Sequence, residues 1–153
     1  MINHSWNPLP TVTTVIDADP PNLWVCVLDY VEDVKLKIVA EGTWEWAPGR
    51  SCSPNGELGE RQPSDLLFAS APLGALIGKI GGSTCDKSEW LAAGTAASGI
   101  TRPAVFTVGC LGFYAPAKTD PVRGPLFLAM NDSPLRFRYH SGQLTIRIFE
   151  LES

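Results

Sequence analysis

The sequence predicts an all-β protein, a sandwich or barrel of short strands, and three observations carry that expectation. Seven or eight short apolar runs recur along the chain, several alternating apolar with polar residues as a half-buried strand does. Glycine (14) and proline (13) are scattered between the runs as turn punctuation. Only one short stretch, from Asp86 to Ala93 and stopped at Gly94, has a capped helical look, and it reads equally well as an irregular surface loop.

In order, Thr11–Ile16 is rich in β-branched residues and ends in the turn cluster Asp17–Pro21. Leu23–Leu28 is a continuous apolar run, which predicts an inner strand with Cys26 packed as a small hydrophobe. Val34, Leu36, Ile38 and Ala40 alternate with Lys35, Lys37 and Val39, so one face meets the core and the lysines meet water. Trp44 and Trp46 admit two readings: opposite faces, with one indole in the core and the other a stacking platform, or both over the core edge. A long loop follows through Cys52, the turn dipeptide Asn55-Gly56 and Pro63, and loops of that length are often functional. Ala75–Ile80, Pro103–Cys110 extending through Tyr114, Leu126–Met130 and Leu144–Phe149 supply the remaining strands.

A chain of 153 residues fits one domain, residues 1–153, with enough length for a real core. The net charge of -4 argues against a nucleic-acid partner, which wants a clustered basic face. Lys35, Lys37, Arg136, Arg138 and Arg147 form no block in sequence and read as solvated strand faces. No apolar run approaches the roughly 20 residues needed to cross a bilayer. The first ten residues lack a basic region followed by an apolar one, so the expected location is cytoplasmic, or outside by a route without a visible signal peptide. Four cysteines at 26, 52, 85 and 110 lack zinc spacing, while Cys52 and Cys85 fall in loops and are left open as a pair.

Chemistry concentrates in Gly124–Ile148, which reads as strand, loop, strand. Its loop gathers Asn131, Asp132, Tyr139, His140 and Ser141, and loops held by a rigid sheet are where binding groups sit. Asn131 is expected to satisfy the loop's own backbone, and Ser141-Gly142 to set the turn into the last strand. The histidines are His4 and His140 alone, and neither a nucleophile elbow nor an HExxH motif is present. An enzyme built on His140 would need a carboxylate or nucleophile within reach of the ring. The expectation is a protein that is not an enzyme.

Two segments, Ala71-Pro-Leu-Gly74-Ala-Leu-Ile-Gly78-Lys-Ile80-Gly81-Gly82 and the stretch 124–149, resemble the bacterial PA-I-type galactophilic lectins. That is a calcium-dependent, galactose-binding β-sandwich family, and a weaker likeness extends over residues 12–48. The resemblance implies a jelly-roll, galactose-binding domain-like sandwich. Asp132 matches the family's carboxylate ligand to calcium and Arg136 a backbone-carbonyl ligand. Gly42-Thr-Trp-Glu-Trp46-Ala-Pro48 looks like the family's Gly-Trp-x-x-Tyr-Gly-Pro, which makes Trp46 another carbonyl ligand. Tyr139 and His140 stand where the family places Asp or Asn and Asn, so a phenol and an imidazole replace two hard oxygen donors. The implied metal set is therefore Trp46, Asp132 and Arg136, if calcium is retained. The family's sugar-contacting His and Gln fall near Gln62 and Asp65, or near Arg61 and Ser64 with the gap placed differently.

The function implied is a non-catalytic, galactoside-type carbohydrate-binding module, with a shallow site between the 44–65 and 131–141 loops. Its ligand contacts would be Trp46, Gln62, Asp65, Asp132, Arg136, Tyr139 and His140. Homo-oligomerisation for avidity fits such a module. The alternative is an interaction or structural subunit that kept the fold and lost sugar binding.

Overall fold

A computed structural model describes residues 5–6, 8–57, 65–82, 105–118 and 122–152. Within them the strands are β1 (Ser5–Trp6), β2 (Val12–Asp17), β3 (Val25–Val31), β4 (Leu36–Glu41), β5 (Trp44–Ala47), β6 (Arg50–Cys52), β7 (Leu76–Ile80), β8 (Val105–Thr107), β9 (Leu111–Tyr114), β10 (Gly124–Met130) and β11 (Ser141–Glu152). They form two antiparallel sheets. The larger runs β6-β5-β11-β4-β9, with β1 and β2 also paired to β11; the smaller runs β3-β10-β7-β8. The all-β sandwich expected from the sequence is what the chain forms.

The core lies between the sheets. Ile16, Leu36, Ile38, Leu144, Ile146 and Ile148 from the large sheet meet Leu76, Ile80, Leu126, Leu128 and Met130 from the small one. A second apolar layer covers the small sheet's other face, where Leu23, Trp24, Leu67, Ala71 and Phe137 pack on Ile77, Phe127 and Ala129. Burial on both faces explains why β7 and β10 read as unbroken apolar runs, while β4 and β11, wet on one face, alternate. Lys79 is carried into the second layer, fully buried, with Nζ 5.0 Å from the Trp24 ring and 5.1 Å from the Phe127 ring. A cation over aromatic faces tolerates burial better than one in a purely aliphatic core.

Several expectations are corrected. β3 is an edge strand of the small sheet, and Cys26 is exposed; the apolar residues that are deeply buried, Leu23 and Trp24, lie just before the strand. Of the two readings of Trp44 and Trp46, the one that puts both over the core holds: they are 1% and 6% exposed, because positions two apart on a strand share a face. Arg136 and Arg138 lie not on a strand but in a 3-10 helix, Pro134–Tyr139, between β10 and β11. Cys52 is a free thiol whose Sγ lies 3.7 Å from the Gly74 carbonyl. The 86–93 helix, Cys85 and Gln62 lie outside the described residues. Among the described residues no helix is long and apolar enough to cross a membrane.

Candidate functional site

The segment leaving β10 is built from its first polar residue. Asn131 is fully buried and its amide does the work of a short strand: Nδ2 donates toward the carbonyls of Phe68 (2.8 Å), Ala71 (2.9 Å) and Pro72 (3.1 Å), and Oδ1 accepts from the Phe68 N–H (2.9 Å). Its backbone adds bonds with Gly74 and Ala75. Irregular chain buried at the sheet end thereby has partners for its polar groups, as burial demands. Gly74 sits here with φ +83, and a Cβ at that position would stand 2.6 Å from the Cys52 Sγ. Glycine is required both by the backbone conformation and by the approach. Its carbonyl takes the Trp44 indole N–H at 2.8 Å, which fixes the strand that carries Trp46.

Asp132 comes next, with its side chain sealed from solvent. Oδ1 accepts the Ser133 N–H at 2.7 Å, and Oδ2 lies 2.8 Å from His140 Nε2. The other ring nitrogen, Nδ1, is 3.1 Å from the Ala18 carbonyl at the end of β2. A carbonyl can only accept, so Nδ1 carries a hydrogen and donates it. Phe137 packs on the imidazole with ring centroids 4.4 Å apart. The Asp132 carbonyl accepts from Leu67 N at 3.1 Å and the Ser133 hydroxyl donates to Asp65 Oδ2 at 2.7 Å, so the 65–75 and 131–141 segments form one bonded block.

Above this block lies a polar rim. Arg136 Nε is 3.3 Å from Asp132 Oδ1, close enough for an ion pair but out of line for a hydrogen bond. The Arg136 and Arg50 guanidinium carbons lie 5.7 and 5.8 Å from the centroid of the Trp46 ring. Arg138 donates to the Tyr139 hydroxyl at 2.9 Å and packs over its ring, and Tyr139 is 45% exposed. Ser141 donates to Glu45 at 2.7 Å.

The structure therefore gathers Trp46, Asp65, Asp132, Arg136, Tyr139 and His140 at one end of the sandwich. It places them in two tiers: Asp132 and His140 below the surface, Asp65, Arg136 and Tyr139 at it, and Trp46 under the guanidiniums. Arg50, Arg138, Ser133 and Glu45 were not anticipated there. The signal for the arginines was not in sequence spacing; Arg50 reaches Trp46 because β6 returns beside β5.

These residues do not fit calcium. A hard cation takes six to eight oxygens, yet the one side-chain carboxylate of the implied set faces an imidazole nitrogen and a guanidinium, both competing for its oxygens. Among the described residues no group of three or more His, Cys, Asp or Glu side chains converges to hold a metal. A catalytic His140 is also disfavoured by its geometry. The ring does have a carboxylate beside it, but its other nitrogen is bonded to a backbone carbonyl and the side chain is fully buried.

No protein-family model matches the chain, and no curated protein does. Among solved structures it is similar to the N-terminal domain of EclA, described as a PllA-like lectin. The identity is 15% and the TM-score 0.54, over 97% of this chain and 98% of that one. The shared feature is the fold: this chain is a β-sandwich similar to that domain's.

Proposed function

We propose that the protein is a non-catalytic carbohydrate-binding module of the lectin type, working without calcium. The observation that carries this reading is the internal lock of Asp132 by His140 and Ser133 at the loop that the lectin resemblance marks as the binding loop. The lock gives the loop a fixed shape without a metal and leaves Arg136, Tyr139 and Asp65 at the rim to meet a ligand. Tyr139, exposed and backed by Arg138, supplies the aromatic face on which a sugar ring packs. Asp132 and His140 act as positioning residues beneath that surface, and Gln62 remains a proposed contact on the resemblance alone. A galactoside is the first ligand to try, because that is the class the sequence resemblance implies. Self-association belongs to the same proposal, since shallow sites gain avidity when linked.

Calorimetric titration with methyl galactoside, in calcium and again in chelator, tests it. Equal binding in both supports a calcium-independent module. Heat on calcium addition, with sugar binding lost in chelator, would overturn the metal-free reading. Absence of binding to any glycan on an array would leave the interaction-subunit alternative.

A further inference from the structure

Arg136 stands out at the rim. Its Nε is buried without a hydrogen-bond acceptor, while Asp132 Oδ1 at 3.3 Å and the Trp46 ring fix where the guanidinium sits. The two Nη groups hold no hydrogen bond among the described residues, and they are not buried, the side chain as a whole being 39% exposed. Beside it the Trp46 indole N–H is a second buried donor without an acceptor. The donors a ligand can reach are the Arg136 Nη groups, the Arg136 Nε and the Trp46 indole N–H being closed to solvent. An acceptor-only group matches them best.

Charge points the same way. Arg50 shares the Trp46 ring with Arg136, and Arg138 lies two residues on in the same 3-10 helix, in a chain whose net charge is -4. Of the carboxylates nearby, Asp132 pairs with Arg136 through Nε alone and is shared with His140, while Asp65 and Glu45 accept from the Ser133 and Ser141 hydroxyls. A guanidinium held on one side and open on the other presents the planar fork that matches a carboxylate or sulfate with two parallel hydrogen bonds.

We infer that the ligand is an acidic saccharide, a uronic acid or a sulfated sugar, whose anionic group is received by Arg136 over Trp46. This rests on the carbohydrate-binding reading and narrows it. The negative group of the ligand meets a fixed guanidinium where a calcium lectin would offer a cation to sugar hydroxyls.

The test is calorimetry in chelator with matched neutral and acidic sugars: galactose against galacturonic acid and galactose 6-sulfate, and glucose against glucuronic acid. The acidic member of a pair is expected to bind about tenfold or more tighter, with affinity falling as salt rises. Arg136→Lys keeps the charge but loses the fork and is expected to lose most of that preference; Arg136→Gln loses all of it. Equal affinity within the pairs, or tighter binding of the neutral sugars, overturns the acidic-ligand inference and leaves the lectin reading standing. Binding of no saccharide in either class overturns both. The wild-type comparison needs no variant, so a substitution that fails to fold does not weaken the test.

Discussion

His140 and Asp132 are joined inside the protein, Nε2 lying 2.8 Å from Oδ2 with neither side chain reaching solvent. Through its other nitrogen the same ring holds the Ala18 carbonyl, so one imidazole links the end of β2 to the loop that follows β10. The loop's shape is therefore a property of the folded sandwich.

Removing the carboxylate should show this first. Asp132→Ala strands the His140 Nε2 and the Ser133 N–H and leaves the Arg136 guanidinium without its counter-charge. Each buried polar group left without its partner costs about 1–3 kcal/mol. Urea unfolding is expected to show a loss of that size, and saccharide binding by the remaining folded protein should be abolished. A folded variant of unchanged stability and binding would mean the pair does not hold the loop.

Asn131 gives a sharper chemical test. Asn131→Asp would aim a carboxylate oxygen at the carbonyls of Phe68, Ala71 and Pro72, where the native amide donates. Acceptor facing acceptor in a buried site is worse than a missing partner, so Asp should destabilise more than Ala at this position. Each stranded buried group costs about 1–3 kcal/mol. Denaturation midpoints of the two variants decide the order, and the reverse order would show that the amide's donors are not what matters.

At Gly74 two costs combine. Gly74→Ala meets the left-handed backbone penalty of about 1–2 kcal/mol and a clash with the Cys52 Sγ, 2.6 Å from the new Cβ. Adding Cys52→Ala should recover the clash and leave the backbone penalty. Thermal unfolding of the single and double variants separates the parts, and full additivity would rule out the contact.

Cys52 itself should be slow to react. Burial, with the Glu57 carboxylate adding to it, pushes the thiol from its ordinary 9.0 up to about 11. The unfolded chain ionises first as pH rises, so this thiol's contribution is whole below pH 9 and is lost as pH climbs toward 11. Iodoacetamide mapping at pH 8 is expected to label Cys26 on the surface and spare Cys52 until denaturant is added. Replacing Cys52 with Ala should flatten the alkaline fall in stability.

Much of the sandwich was legible because burial leaves a period in the sequence. Leu36, Ile38 and Ala40 alternate because their sheet is wet on one side, and the Leu126–Met130 run is continuous because its sheet is covered on both. β3 misled because Leu23 and Trp24, which make its run apolar, belong to the covering layer and not to the strand. The role of Asn131 was readable from its place beside a sheet end. The coupling of Asp132, Arg136 and His140 was not: their neighbourhood depends on a 3-10 turn, which has no strong sequence period, and on Ala18 arriving from β2. The arginines at Trp46 come from separate parts of the chain, and sequence spacing carries no trace of that meeting.

β11 runs twelve residues, and from Thr145 to Ile148 it is paired on both sides, to β2 and to β4. Amide protons in a strand flanked in this way exchange with solvent only when the large sheet opens as a whole. Ile146 and Ile148 are thus natural reporters of global opening, and amides at Phe68 and Gly74 report on the ligand-side block. Deuterium uptake at these two sets, followed in one experiment, reads separately whether an added saccharide quiets its own loop or slows the opening of the entire molecule.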